Sequence, residues 1–142
     1  MQDSQIIVHS DGGSRGNPGP GACGFVIEKD GEVLHKGSKF LGKVTNNFAE
    51  YSGVIVALEW MMSSKEKLVD TTSIIFILDS ELVVRQLTGV YRVKDITLQK
   101  LAMNVKNLIT KINRKVIFKN VLRDKNKEAD LLLNEELDRN IS

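Results

Sequence analysis

The stretch that decides the fold is residues 6–21, which read Ile6-Ile7-Val8-His9-Ser10-Asp11-Gly12-Gly13-Ser14-Arg15-Gly16-Asn17-Pro18-Gly19-Pro20-Gly21. Its first residues are mostly β-branched and apolar, which predicts a buried strand that ends on Asp11. A ten-residue loop with five glycines and two prolines follows, and residues 22–28 are predicted to form a second strand. An unpaired carboxylate is costly inside a core, so we expect Asp11 at the lip of the sheet, within reach of a metal or a partner.

The loop composition narrows what this stretch can bind. Glycine allows the backbone to approach another molecule closely, while Pro18 and Pro20 restrict the loop to few shapes. A dinucleotide-binding fingerprint is excluded because such a loop must open a helix, and no Gly-Lys-Ser/Thr closes a phosphate-binding loop. The alternative is an ordinary hairpin connection in which Asp11 supplies turn chemistry.

The composition excludes several classes of protein. We expect one domain, residues 1–142, because 42% of the residues are apolar and 27% are charged. A net charge of +2 means that nucleic-acid binding must depend on local patches. One cysteine, Cys23, excludes an internal disulfide, and with two histidines it excludes a structural zinc site. No apolar run approaches the ~20 residues of a membrane span and no signal-peptide pattern is present, so a cytoplasmic location is expected.

The order of predicted elements indicates an α/β fold. The strand and helix crossovers predict a mixed five-stranded sheet, three antiparallel strands followed by two parallel ones, with helices on both faces. An Asp30-Gly31 hairpin turn is expected between the second and third strands. After the first two strands, we predict strands at 32–40, 73–78 and 115–122, and helices at about 47–62, 80–88, 95–112 and 128–139.

Four acidic residues occur at the ends of these predicted elements. Asp11 and Asp79 end strands, while Glu50 and Asp130 begin helices. Each has a structural alternative. Glu50 could complete a capping box with Asn47, and Asp79 could cap a helix. Asp130 could be stabilised by the helix dipole, which favours a negative charge in the first turn. Gathered at one sheet edge, they would repel one another unless a cation joined them, and magnesium prefers such oxygen ligands. Two such ions can clamp the attacking and leaving oxygens of a phosphoryl displacement.

The four motifs together resemble those of type 1 ribonuclease H. They are Asp11 to Gly21, Thr45-Asn46-Asn47-Phe48-Ala49-Glu50, Asp79-Ser80 and Asn126-Lys127-Glu128-Ala129-Asp130, and the resemblance covers about residues 5–138. It implies a ribonuclease H-like fold and an endoribonuclease that hydrolyses the RNA strand of RNA–DNA hybrids, leaving 3′-hydroxyl and 5′-phosphate ends. It also implies two Mg²⁺ ions, for which Mn²⁺ can substitute.

The resemblance assigns roles to individual residues. Asp11 would bridge both ions, with Glu50 and Asp79 on the leaving-group ion and Asp130 on the ion that activates water. The resemblance implies a hybrid duplex as the partner, and we expect a monomer to bind it, with no membrane and no obligate protein partner. The residues expected to contact the nucleic acid are Gly12, Gly13, Ser14, Asn17, Thr45, Asn46, Asn47 and Ser80.

Three departures from the family pattern bear on activity, and the sequence resembles compact archaeal-like and some bacterial members. Glu81 stands where many members carry glutamine, and residues 88–94 replace a basic protrusion. Many members carry a histidine about ten residues before the last aspartate, but Asn120 occupies that position here and no histidine lies in this region. Arg123 and Asn126 are therefore the auxiliary candidates. The alternatives are a catalytically weak module that binds hybrids or structured RNA, and a DNA-junction resolvase, which the glycine-rich and asparagine-rich motifs disfavour.

Overall fold

The computed structural model describes residues 4–141, and its centre is one mixed sheet. The strands are β1 (Ser4–Ser14), β2 (Gly19–Lys29), β3 (Glu32–Val44), β4 (Thr71–Leu78) and β5 (Lys115–Asn120), in the spatial order β3-β2-β1-β4-β5. The first three strands pair antiparallel, while β4 pairs parallel with β1 and β5 parallel with β4. The predicted sheet is therefore confirmed.

Four helices complete the fold, and their number and order match the prediction. They are α1 (Asn46–Ser63), α2 (Glu81–Leu87), α3 (Ile96–Ile112) and α4 (Lys127–Asn140), with 3₁₀ turns at Lys65–Leu68 and Arg123–Lys125. None of the helices within residues 4–141 combines the length and the apolar character that a membrane span requires.

The helices cover both faces of the sheet, because alternate side chains of β2 belong to two different cores. Phe25 and Ile27 belong to the main core, which α1 and α3 share, whereas Ala22 packs with the α4 residues Leu133 and Leu137 in a second, smaller core. Successive side chains of a strand point to opposite faces, so these two cores lie on opposite sides of the sheet. The prediction of helices on both faces is confirmed.

Two glycines allow helices to contact the sheet at backbone distance. A Cβ atom on Gly12 would overlap the backbone of Ala49 in α1, and a Cβ atom on Gly24 would lie 2.7 Å from the carbonyl oxygen of Ala129 in α4. Gly24 is the cross-strand partner of Asp11, and Gly12 is the residue after it. Both helices therefore approach the sheet at the same point along β1.

The first strand is longer than predicted, so Asp11 lies within it. Gly12, Gly13 and Ser14 continue the ladder and pair with residues 21–23 of β2, which leaves only residues 15–18 as the connection. Composition predicted a loop because glycine is unfavourable in isolated strands. Here a full antiparallel partner satisfies the backbone groups, and the neighbouring helix needs the space that the missing side chains leave.

The structure excludes two of the structural alternatives, in which Asn47 and Asp79 would cap helices. Helix α1 is capped by Thr45, whose Oγ1 accepts a hydrogen bond from the Phe48 N–H at 3.2 Å, rather than by Asn47. Helix α2 is capped by Ser80, whose Oγ accepts from the Val83 N–H at 3.3 Å, rather than by Asp79. Hydroxyl groups therefore cap both helices, which leaves the carboxylates of Glu50 and Asp79 available for another role.

We predict that Gly12→Ala destabilises the protein by about 1–3 kcal/mol or more, because the added methyl group forces β1 away from α1. Gly13→Ala is the matched control, since a Cβ atom there meets nothing closer than 3.8 Å. Chemical denaturation of both variants measures the effect. Equal stability of the two variants would show that the contact between β1 and α1 is not tight.

Candidate active site

Three carboxylates converge from three different elements. Asp11 lies in β1, Glu50 in α1 and Asp79 directly after β4, and one oxygen of each lies within 4.8 Å of the other two. Asp11 and Glu50 are buried, with 5% and 6% of their surfaces exposed, while Asp79 is half-buried. Asp130, in the first turn of α4, lines the same cavity as these three residues.

The register of the sheet explains why Asp11 and Asp79 meet. Strands β1 and β4 are parallel, and His9 is the partner of Ile77. Asp11 and Asp79 follow these partners by two residues each, so they lie level with each other and on the same side. Glu50 reaches them because α1 contacts β1 at Gly12, where no side chain separates the two backbones.

The electrostatics of the group are unfavourable without a cation. Burial raises the pKa of Asp11 to about 7, and the charges of Asp79 and Asp130 add to the effect, while a hydrogen bond with Glu50 opposes it. Burial likewise raises the pKa of Glu50 well above its usual range, and the charge of Asp11 contributes. The fold therefore holds acidic groups where their charged forms are poorly solvated.

The same group fits a divalent cation. Glu50 Oε2 and Asp79 Oδ2 are buried and have no hydrogen-bond partner among the protein atoms. A buried carboxylate oxygen without a donor costs stability, and a cation would satisfy it. Several carboxylate oxygens with no nitrogen or sulfur ligand are a donor set typical of Mg²⁺ and Mn²⁺. The carboxylates are thus suited to hold metal.

The cavity around these carboxylates brings together most of the residues that the sequence singled out. Eleven of its lining residues were predicted, and they are Asp11, Gly12, Gly13, Ser14, Asn46, Asn47, Glu50, Asp79, Ser80, Arg123 and Asp130. The two remaining predicted substrate contacts, Asn17 and Thr45, line an adjacent cavity that shares Asn46 and Asn47. The cavities together form a continuous surface from the carboxylates to the start of α1.

Three polar residues order the rim between the two cavities. The Oδ1 atom of Asn46 accepts hydrogen bonds from Ser14 N–H at 2.9 Å and from the Ser14 hydroxyl at 3.1 Å. Asn17 Oδ1 accepts from the backbone N–H of Asn46 at 3.0 Å. That N–H belongs to the first turn of α1 and has no partner within the helix. The 15–18 connection is thereby held against α1.

The auxiliary candidates occupy different environments. Arg123 is exposed on the cavity rim. Asn126 is 1% exposed, and its Nδ2 donates to the carbonyl oxygen of Ser10 at 2.8 Å, which ties the start of α4 to β1. Glu81 is exposed and accepts a hydrogen bond from Arg85 Nε at 2.8 Å, while the Arg85 guanidinium lies 5.4 Å from the centre of the Tyr91 ring. Glu81 is thus partly neutralised within its own helix.

Four further residues line the main cavity and were not predicted. They are Arg15, Leu133, Asn134 and Leu137, of which the last three belong to α4. Leu133 and Leu137 form the apolar floor next to Ala22. Spacing could have found Asn134, because it follows Asp130 by four residues and so lies on the same side of the helix.

The raised pKa of Asp11 predicts how stability depends on pH in the absence of metal. Since the pKa is raised from 3.8 unfolded to about 7 folded, the folded state holds a proton that the unfolded state loses. The free energy of unfolding should therefore fall as the pH rises through this window, and Asp11→Asn should reduce the fall. Melting temperatures of both proteins in a chelator, between about pH 5 and pH 8, test this. Parallel curves would contradict it.

Comparisons with known proteins agree with this architecture. A family model described as reverse transcriptase-like matches residues 9–136. A ribonuclease HI of Halobacterium salinarum is 36% identical over 135 residues, which cover 94% of this chain and 65% of that protein. A bifunctional protein of Mycobacterium tuberculosis is 35% identical over 136 residues, which cover 94% of this chain and 36% of that protein. The chain thus spans about a third of the mycobacterial relative and just under two thirds of the halobacterial one.

Solved structures give a closer match over whole chains. LC11-RNase H1, isolated from compost by a metagenomic approach, is 42% identical with a TM-score of 0.91, covering 97% of this chain and 99% of that chain. The crystal structure of LC11-RNase H1 in complex with an RNA/DNA hybrid gives 41% identity and a TM-score of 0.90, with 96% and 99% covered. Because these similarities extend over nearly its whole length, the chain belongs to the type 1 ribonuclease H family.

Proposed function

We propose that this protein is an endoribonuclease that hydrolyses the RNA strand of RNA–DNA hybrids and leaves 3′-hydroxyl and 5′-phosphate ends. The observation that carries the proposal is the convergence of Asp11, Glu50 and Asp79 within 4.8 Å in an open cavity. Membership of the type 1 ribonuclease H family supports the reaction. The hybrid in the LC11-RNase H1 complex supports the substrate.

Four carboxylates would hold two Mg²⁺ ions, for which Mn²⁺ can substitute. Asp11 would be shared, Glu50 and Asp79 would serve the leaving-group side, and Asp130 would serve the water side. Bound divalent ions supply a hydroxide-like nucleophile near neutral pH and stabilise a departing oxygen. The unpartnered oxygens of Glu50 and Asp79 support this ligand set.

The chain's own residues would orient the substrate beside the carboxylates. Gly12 and Gly13 have no side chains, so the sugar edge of an RNA strand can approach the backbone of β1, where its 2′-hydroxyl distinguishes it from DNA. Asn17, Asn46 and Ser14 would present polar groups to the nucleic acid from positions fixed by their mutual hydrogen bonds. Further contacts would come from Thr45, Asn47 and Ser80, with Arg123 as an auxiliary residue on the rim. Asn126 is buried and would act only by holding the start of α4 against β1.

We infer that a monomer suffices for this activity, because one chain contributes all four carboxylates to the cavity. The partner would be a hybrid duplex, with no obligate protein partner. Cys23 is buried and its thiol is free, which suits the reducing cytoplasm that we propose as the location.

We predict that Glu50→Gln lowers the rate of hybrid cleavage roughly 100-fold or more. Metal ions contribute several kcal/mol to the stabilisation of such transition states, and each ~1.4 kcal/mol is a factor of ten. The stability of the metal-free protein should hold or rise, because the substitution removes an acidic group whose charged form is poorly solvated. Glu59→Gln, at an exposed position of the same helix, is the control. A less stable but fully active Glu50→Gln protein would show that Glu50 is structural.

We also predict that cleavage requires the 2′-hydroxyl groups of the RNA strand. Replacing them with hydrogen next to the scissile phosphate should stop cleavage there, as gel analysis of end-labelled hybrids would show. Double-stranded RNA and double-stranded DNA are run in parallel. Equal cleavage of the DNA duplex would contradict hybrid specificity, and tight hybrid binding without metal-dependent cleavage would favour the binding-module alternative.

A further inference from the structure

One side-chain amide of α4 lies between the fourth carboxylate and the 15–18 connection. Asn134 Nδ2 donates to the Asp130 side chain, with 3.2 Å to Oδ1, and to the Asp130 carbonyl oxygen at 2.9 Å. Asn134 is half-buried and lines the same cavity as the acidic group. Its donor group therefore fixes one oxygen of the Asp130 carboxylate.

The other end of the same amide faces an arginine. Asn134 Oδ1 accepts from Arg15 Nη2 at 3.3 Å, and the Asn134 carbonyl oxygen lies 3.4 Å from that nitrogen. Arg15 also forms an ion pair with Asp138 at 2.7 Å, one turn further along α4. Because a guanidinium only donates, it selects the amide orientation in which the oxygen faces Arg15 and the nitrogen faces Asp130.

Asp130 is placed differently from the other three carboxylates. Among residues 4–141, the close group consists of Asp11, Glu50 and Asp79, and Asp130 stands outside it, on a helix that begins only three residues earlier. The negative charge of Asp130 helps to raise the pKa of Asp11, which shows that the two carboxylates repel each other. A neutral donor can hold the carboxylate toward the cavity without neutralising it.

We infer that Asn134 is a positioning residue that orients Asp130 for divalent-ion binding, and that Arg15 orients Asn134. The inference rests on the proposed metal-dependent cleavage at this site. Outer partners that hydrogen-bond to metal ligands set the direction and the basicity of those ligands. The connection that carries Asn17 is thereby linked, through Arg15 and Asn134, to a carboxylate of the site.

The same helix provides a matched control. Asn140 Nδ2 donates to the carbonyl oxygen of Glu136 at 2.8 Å and to its Oε2 at 3.3 Å, so it repeats the four-residue spacing and the hydrogen bonds of Asn134 with Asp130. Neither Glu136 nor Asn140 lines the cavity. A general effect of losing an asparagine from α4 should appear in Asn140→Ala, while an effect on the site should not.

The test is calorimetric titration of Mn²⁺ alone into wild type, Asn134→Ala and Asn140→Ala. We expect Asn134→Ala to bind Mn²⁺ about tenfold more weakly and Asn140→Ala to match wild type. Steady-state cleavage of a hybrid should show the same shift in the Mn²⁺ concentration for half-maximal rate, with KM for the hybrid unchanged. If Asn134→Ala and Asn140→Ala bind Mn²⁺ equally well, the inference is wrong.

Arg15→Met provides a second variant that leaves α4 intact, should Asn134→Ala fail to fold. It should weaken Mn²⁺ binding in the same direction, and it should add little in an Asn134→Ala background, because both act through one amide. Wild-type Mn²⁺ affinity in Arg15→Met would overturn the role of Arg15. Absence of cleavage by wild type would instead contradict the proposed function. The Mn²⁺ titrations contain no nucleic acid, so they test the role of Asn134 separately from cleavage.

Discussion

The site depends on backbone contact between helices and the sheet at two glycines. Gly12 allows α1 to reach β1, and Gly24 allows α4 to reach β2, directly beside Asp11. Any side chain at Gly12 would overlap the backbone of Ala49. Since Glu50 follows Ala49 and Asp130 follows Ala129, each contact places one acidic residue next to the strand that carries Asp11. The glycines therefore determine the spacing of the carboxylates.

The buried carboxylates of the site lower the stability of the folded chain. Asp11 and Glu50 are buried where burial and neighbouring charges raise their pKa values, and two carboxylate oxygens of the group lack donors. Such groups destabilise a protein in their charged forms. The extensive apolar core around Tyr51, Phe76 and their neighbours offsets that cost. A bound cation would neutralise these carboxylates and remove the cost, so the site is suited to bind a cation.

Local sequence signals succeeded where one type of interaction dominates. The apolar run of β4 and the striped pattern of α3 predicted elements within two residues of their observed bounds. They failed where two signals competed. Glycines at 12 and 13 suggested a loop although β2 pairs with them, and Asn47 suggested a cap although Thr45 provides it. Spacing places Asn134 on the same side of α4 as Asp130, but its hydrogen bond with Arg15 exists only in the folded structure.

The sequence by itself determined the element order, the mixed sheet and the four acidic residues, because periodicity and motif spacing are properties of the chain. Only the tertiary structure decided that Asp11 and Asp79 lie side by side, because the parallel register of β1 and β4 sets their positions along the sheet. It also decided the proton affinities of Asp11 and Glu50, because burial and neighbouring charge arise only when distant segments meet. Spacing along the chain does not fix the distance between residues on different strands and helices, and the carboxylates of this site come from four different segments.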